Sequence, residues 1–245
     1  MACNNNNNND DQIAYKIQNS TDKDKGLFAN RPIRRGELII SEKPLFTLNK
    51  YGYVSVQNTI NELEKKVEKL SKSDQNSFNS LHNSWPMIPS KSLATFKTNA
   101  LPLGHDSPIG AIFLTISRIN HSCLPNVNHY WNETKKVETI YALKDISINE
   151  EILTSYIEIY NDKKTRQDLL QEGFNFICKC ELCSIQDIKV QKCSDIRRNL
   201  LRTLDEEIPE LGAYNPAKAL EKIYLMEKLI KEEGIEYDAN RMGKI

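Results

Sequence analysis

Three cysteines fall within one six-residue stretch, Cys178-Lys179-Cys180-Glu181-Leu182-Cys183, and no other feature restricts the folding of this chain so tightly. Three thiolates on one short loop call for a fourth ligand to complete a tetrahedral zinc site. Cys123, within Asn120-His121-Ser122-Cys123-Leu124-Pro125-Asn126, is the natural donor. A zinc ion held by Cys123, Cys178, Cys180 and Cys183 would tie the loop near residue 180 to the Asn-His segment near residue 120. A pocket built from two distant segments needs such a tie. Four thiolates leave no open position for water, so the site would be structural. The competing readings are four metal-free buried thiols, or Cys193, ten residues past the loop, as a rival ligand. Otherwise Cys3 and Cys193 read as ordinary free thiols.

The metal reading depends on compartment. Residues 1–11 form an asparagine tract without the apolar centre of a signal peptide or the arginines of a mitochondrial presequence, and read as a disordered tail. An intracellular, reducing location is therefore expected, nuclear or cytoplasmic, where clustered cysteines bind metal rather than forming disulfides. No apolar run approaches the roughly 20 residues of a membrane span, so no membrane partner is expected. Lys+Arg and Asp+Glu both count 33, and the net charge is zero. That argues against nucleic-acid binding through bulk charge. A zinc-ribbon module on nucleic acid fares worst, because Lys179 and Glu181 leave the loop with mixed charge. No Gly-x-Gly-x-x-Gly, Gly-Lys-Ser/Thr or Gly-x-Ser-x-Gly motif is present, which removes nucleotide-phosphate and acyl-hydrolase chemistry. A length of 245 residues suits one large domain, or a compact domain with an appendage.

Along the chain, 13–46 reads as short apolar segments with strands at Lys25–Ala29 and Arg34–Ile40. Ile60, Leu63, Val67 and Leu70 recur at helical spacing, and Ser71 with Asp74 starts a second helix bearing Phe78 and Leu81. Residues 49–96 thus form a helical insert. Ser107-Pro108 predicts a further helix whose stripe is Ile109, Ile112, Phe113, Ile116 and Ile119, running into Asn120-His121. Val137–Leu143 and Ile152–Tyr156 alternate as strands, with Ile152, Thr154 and Tyr156 on one face. Lys163–Glu172 reads as a helix stopped by Gly173. Helices follow at Asp195–Leu204 and from Asn215-Pro216 to Gly234, and the last ten residues read as loose.

Three blocks carry a resemblance. Arg118-Ile119-Asn120-His121-Ser122-Cys123-Leu124-Pro125-Asn126 is followed by Glu150-Glu151-Ile152-Leu153-Thr154-Ser155-Tyr156, and then by Phe174-Asn175-Phe176-Ile177-Cys178-Lys179-Cys180-Glu181-Leu182-Cys183. In order and spacing they resemble the SET-domain lysine methyltransferases, in the SMYD-related branch and its fungal members without the MYND zinc finger; residues 47–98 contain no cysteine. The likeness covers roughly residues 15 to 184. It implies an α+β SET fold of several small β-sheets with a pseudoknot, a helical insert, a zinc-binding post-SET loop and an α-helical C-terminal region. The matching division is a SET domain at 12–160 with the 49–96 insert, the zinc loop at 161–184 and helices at 185–245, a tail that is open to continuation. Two glycines of the family pattern are replaced, by Asp24 and by Asn149. Asp24 brings negative charge to a place of close backbone approach, with Lys23 and Lys25 beside it; Asn149 tolerates turn geometry.

By the same resemblance, the chain transfers a methyl group from S-adenosylmethionine to a lysine amine on a protein, histone or non-histone, and acts as a monomer. Tyr156 would be the catalytic tyrosine, orienting rather than deprotonating, since a phenol of pKa about 10 is a poor base at neutral pH. Its alternative is a strand tyrosine packing its ring. Asn120 and His121 would hold the adenosine part of the cofactor, His121 through its backbone. Asn99 would meet the amino-acid part, unless it is only a turn residue. Lys23, Lys25, Gly26, Ser117 and Arg118 complete the cleft, and Phe176 covers the adenine or closes the lysine channel. His82, His105 and His129 have no ligand spacing and read as structural or exposed. A zinc-bearing scaffold without activity is the alternative function, slightly favoured by Asp24.

Overall fold

The computed structural model describes residues 13–21, 23–49, 55–104 and 107–235. The asparagine tail, Cys3, His105 and the last ten residues lie outside them.

Among the described residues, ten strands and six α-helices build an α+β fold around three small sheets. Strands β1 (Tyr15–Ser20), β2 (Lys23–Ala29), β10 (Glu151–Thr154) and β7 (Asn120–His121) form the first, in the order β1-β2-β10-β7. In it β10 runs antiparallel to β2 and parallel to β7. The second sheet is β3 (Leu38–Glu42), β9 (Val137–Ala142) and β8 (Val127–Asn132). The third is β4 (Phe46–Asn49), β6 (Ile109–Ile112) and β5 (Leu101–Pro102). A shared apolar core lies between them, with Leu27, Phe113, Ile119, Ile140 and Ile152 all at 2% exposure or less.

Between β4 and β5 the chain forms α1 (Val56–Glu68), α2 (Lys72–Asn79) and α3 (Lys91–Asn99). Each begins with a serine, Ser55, Ser71 or Ser90, whose hydroxyl accepts a first-turn backbone N–H. Their apolar faces meet at Leu63, Phe78 and Phe96 and close on Leu48 and Ile112 of the third sheet. The Phe46 ring lies 5.4 Å from Phe78 and 6.2 Å from Phe96. The helix α3 is short and weakly patterned, and only its tertiary contacts reveal it.

The expected helix from Ser107 to Ile119 is absent. Ile109–Ile112 is instead the central strand of the third sheet, and a 3-10 turn follows at Ile116–Arg118. The isoleucine spacing suits a helix, but Gly110, Ala111 and Ile112 are all buried, so no polar face exists. A short run paired on both edges, by β4 and by β5, satisfies its backbone groups as a strand. The backbone N–H groups of Thr115 and Ile116 are satisfied by the carboxylate of Glu42, at 3.0 and 2.9 Å.

After β10 come α4 (Lys163–Phe174), α5 (Ile188–Tyr214) and α6 (Pro216–Glu232). Helix α4 passes through Gly173 and ends on Asn175, which holds φ 58°, ψ 40°. Asparagine tolerates this left-handed geometry and can end a helix as glycine does. Helix α5 is longer than its sequence stripe, because Asp187 caps it through Lys189 and Val190. Leu201, Leu204, Ile208, Met226 and Ile230 zip α5 to α6 and enclose Tyr160. No helix among the described residues is long and apolar enough to cross a membrane.

The insert and the third sheet share one core, so they should melt together. Phe78→Ala is expected to cost about 3–5 kcal/mol. Fluorescence from single-tryptophan versions, keeping Trp85 in the insert or Trp131 in β8, should report one common denaturation midpoint; separate midpoints would show the insert to be independent.

Candidate functional site

The site grows from the parallel pairing of β7 with β10, which sets Asn120 beside Leu153 and His121 beside Thr154. Two strands this short need help, and Asn126 supplies it. Its side-chain oxygen accepts from Leu153 N at 2.7 Å, and its amide nitrogen donates to Glu151 O at 2.8 Å and Glu150 Oε1 at 3.2 Å. Glu151 ties in the remaining pieces. Its carboxylate accepts from Asn120 Nδ2 at 2.8 Å and faces Lys23 Nζ at 3.4 Å, while that ammonium also reaches His121 O at 3.4 Å. Asn120 Nδ2 further donates to Lys25 O at 3.2 Å. Gly26 makes this convergence feasible: a Cβ there would stand 2.6 Å from Glu151 Oε1 and 2.8 Å from Asn120 Nδ2. Asn149 holds φ 66° in the turn before β10, the geometry expected of a residue standing for glycine.

His121 is buried and works with both ring nitrogens. Nδ1 accepts from Tyr156 N at 3.1 Å, which puts the ring proton on Nε2, 3.4 Å from Cys123 Sγ. Burial pushes its pKa down to about 4, so the ring is neutral near pH 7. Tyr156 lies just beyond β10 and donates its hydroxyl to Ile119 O at 2.7 Å. Burial, and then the charge of Glu151, raise its pKa above the ordinary phenol value, so it stays protonated. Its ring centroid lies 4.8 Å from Phe174, 5.3 Å from His121 and 6.5 Å from Phe176.

The four cysteines converge as their spacing suggests. The sulfurs of Cys123, Cys178, Cys180 and Cys183 all lie within 4.8 Å of one another, with Cys123 Sγ 3.9 Å from Cys178 Sγ and 3.6 Å from Cys183 Sγ. Tetrahedral zinc with bonds of about 2.3 Å places its sulfurs about 3.8 Å apart. The cluster therefore fits zinc and no disulfide. Cys193 is exposed on α5 and outside the cluster, which removes the rival ligand. Outer groups hold the ligands in place. Gln167 of α4 exchanges two 2.8 Å bonds with the Cys178 backbone, Cys180 N donates to Cys178 Sγ at 3.4 Å, and Arg166 Nη2 lies 3.9 Å from Cys183 Sγ.

One continuous cleft of about 1530 Å³ joins these parts. Lys23, Lys25, Asn99, Ser117, Arg118, Asn120, His121, Tyr156 and Phe176 all line it, whereas Gly26 sits behind its wall. Asn99 ends α3, donating to Thr95 O and His82 O at 2.7 Å each, and Ser117 Oγ donates to Asn99 O at 3.2 Å. Arg118 Nη2 donates to Ser80 Oγ at 2.8 Å. Across the cleft, Asn175 Nδ2 donates to Ser84 O at 3.0 Å, joining the insert to the segment before the cysteines. Asp24 also lines the cleft, its carboxylate 3.9 Å from His82 Nδ1. His129, instead of standing alone, has Nδ1 3.0 Å from Oε1 of the buried Glu138. Sequence reasoning singled out neither Glu151 nor Asn126, Gln167 nor Phe174. Their position inside the quoted motif blocks was the available signal for Glu151, Asn126 and Phe174; Gln167 had none.

Comparison with known proteins agrees with this geometry. The family profile "SET domain" matches residues 24–157, more than half of the chain. Histone-lysine N-methyltransferase set5 of Schizosaccharomyces pombe is 35% identical over 206 residues, which are 84% of this chain and 61% of that protein. Histone-lysine N-methyltransferase SET5 of Scheffersomyces stipitis is 34% identical over 115 residues (41% of this chain, 23% of that protein). N-lysine methyltransferase SMYD2 of Homo sapiens is 33% identical over 90 residues (35% and 20%). This chain thus spans less than two thirds of the length of these relatives.

Replacing one ligand should damage the clamp. Cys180→Ser is expected to lose stoichiometric zinc and, with several kcal/mol of metal-linked stability gone, to melt roughly 10 °C lower. A variant that keeps one zinc per chain and the parent melting temperature would exclude this ligand set.

Proposed function

Because this chain belongs to the SET-domain family, we propose that it is an S-adenosylmethionine-dependent protein-lysine N-methyltransferase. The observation that carries the reading is the Tyr156 ring, packed among His121, Phe174 and Phe176 in the same cleft that Lys23 and Asn120 line.

The cofactor, when bound, supplies an electrophilic sulfonium methyl. Lys23 and Lys25 offer positive charge for its carboxylate, and Asn99 an amide for its amino-acid part. Asn120, the His121 backbone, Ser117 and Arg118 would hold the adenosine side. The incoming lysine must present a neutral amine, although its ordinary pKa is about 10.4. The rings of Phe174, Phe176, His121 and Tyr156 make an apolar passage, which disfavours the ammonium form by withholding water. Burial keeps the Tyr156 phenol protonated, so no phenolate is available to accept a proton. Its role is to orient the amine and to stabilise charge by hydrogen bonding. The His121 ring bonds the Tyr156 backbone on one edge and faces Cys123 on the other. Zinc on the four sulfurs would thereby hold Tyr156 and Phe176 indirectly. The relatives' names support a substrate that presents a lysine amine, on a histone or another protein.

One observation favours a second reading, a scaffold that has lost activity: Asp24 adds a carboxylate to the cleft wall where the family pattern has glycine. Calorimetry with S-adenosylmethionine separates the two. Saturable one-to-one binding is expected for the enzyme, and undetectable binding would select the scaffold.

Tyr156→Phe should lower turnover about a hundredfold, the scale of losing one positioned hydrogen-bonding group, while cofactor affinity stays near that of the parent. Transfer of labelled methyl groups into a cell extract is the assay, and parental turnover in the variant would remove Tyr156 from the mechanism.

A further inference from the structure

The two phenylalanines that flank Asn175 pack on the same tyrosine. The Phe174 ring centroid lies 4.8 Å from Tyr156, and that of Phe176 lies 6.5 Å from Tyr156 and 6.0 Å from His121. On a continuing helix, side chains two positions apart are about 200° apart around the axis and do not face each other. Phe174 is the last residue of α4, so the chain must change course before Phe176. Asn175 makes that change at φ 58°, ψ 40°, and its backbone N–H closes the helix on Gln171 O at 3.0 Å. Left-handed backbone is open to glycine, asparagine and aspartate and costly for other residues.

The side chain of Asn175 holds this turn in place. Its Oδ1 accepts from Gln171 Nε2 at 2.9 Å, and its Nδ2 donates to Ser84 O at 3.0 Å. A backbone carbonyl only accepts, so the amide nitrogen must face Ser84. Ser84 belongs to the opposite wall of the cleft and is itself held there. Its N–H donates to Thr98 Oγ1 at 3.1 Å, and Asn99 Nδ2 ties down the nearby His82 O at 2.7 Å. Ser84 and Asn175 both line the cleft. Among the described residues, the two walls pack as separate apolar clusters. One gathers around Leu63, Phe78 and Phe96, the other around Cys123, Leu170 and Leu182. The Asn175 amide bridges the two.

We infer, resting on the methyltransferase reading, that Asn175 is a positioning residue: its left-handed turn sets Phe174 and Phe176 on one tyrosine, and its amide pins that turn to the insert. Both rings belong to the apolar passage in which the lysine amine would meet the methyl. With the pin gone, the turn gains freedom and the passage widens. The amine then spends less time in line with the methyl, and turnover falls. Cofactor affinity is spared, because Lys23 and Asn120, which would hold the cofactor, stand on other strands.

Three variants of the whole chain separate pin from turn. Asn175→Asp keeps the shape, the turn and the bond from Gln171, but cannot donate to Ser84 O. Asn175→Gly keeps the turn and loses the amide. Asn175→Ala loses the amide and resists the turn. The initial rate of labelled methyl transfer into a cell extract is measured at saturating S-adenosylmethionine. It should fall about tenfold in the first two variants and about a hundredfold in the third, the scale of an ångström of misplacement. Calorimetric cofactor affinity should stay near that of the parent, which a merely unfolded fraction would not allow. A parental rate in Asn175→Asp overturns the pin, and equal rates in Asn175→Ala and Asn175→Gly overturn the turn. A second readout needs no activity: the fluorine resonance of fluorotyrosine placed at position 156, which senses the ring currents of Phe174 and Phe176. That resonance should move in Asn175→Asp and further in Asn175→Ala; one that stays at the parental position in all three variants overturns the inference. A parent that neither binds S-adenosylmethionine nor transfers methyl sinks the methyltransferase reading instead, and the fluorine resonance still reports whether Asn175 places the rings.

Discussion

Four sulfur atoms within 4.8 Å of one another join the segment that carries Asn120 and His121 to a loop that begins 55 residues after Cys123. Everything on the cleft side of the molecule leans on that junction. Strand β7 has two residues, and its partner β10 has four. Strands so short cannot hold a side chain to a fraction of an ångström by ladder bonds alone. Zinc on the sulfur cluster would close the loop from Cys123 to Cys178 and remove most of that freedom. His121 then transmits the constraint, with one ring edge toward Cys123 and the other accepting the backbone N–H of Tyr156.

A second set of contacts gives the cleft its floor. Asn126, Asn120 and Glu151 bind one another's backbones and side chains, and they draw Lys23, Lys25 and Gly26 into the same place. Buried polar groups cost free energy unless each finds a partner. Here the partners come from three separate stretches of chain, so the network forms only when all three are in register. Glycine at position 26 is part of that requirement, since the carboxylate and the amide occupy the space a side chain would need.

The parts that could be read in advance were local. Thiolate spacing is a chemical demand on a few neighbouring residues, and it named Cys123, Cys178, Cys180 and Cys183 correctly as one cluster. The Ile60-Leu63-Val67-Leu70 stripe and the Ser71 cap likewise located α1 and α2. The failures share a cause. Ile109 to Ile119 fits a helical stripe, yet burial between β4 and β5 makes its centre a strand. Gly173 looks like a helix stop, yet Asn175 takes the left-handed position, where its amide can also reach Ser84 across the cleft. Glu151, Phe174 and Gln167 gain meaning only from residues far away in the chain.

Residue order was enough to point to the four cysteines that cluster, the candidate phenol and several of the cleft-lining residues, because each belongs to a short block whose chemistry is complete within a few positions. Folding in three dimensions decided the rest: which carboxylate binds Asn120, which ring lies against Tyr156, and which carbonyl receives the Asn175 amide. Those outcomes depend on distance and on exclusion of water. Neither quantity exists along a chain until remote segments have packed together.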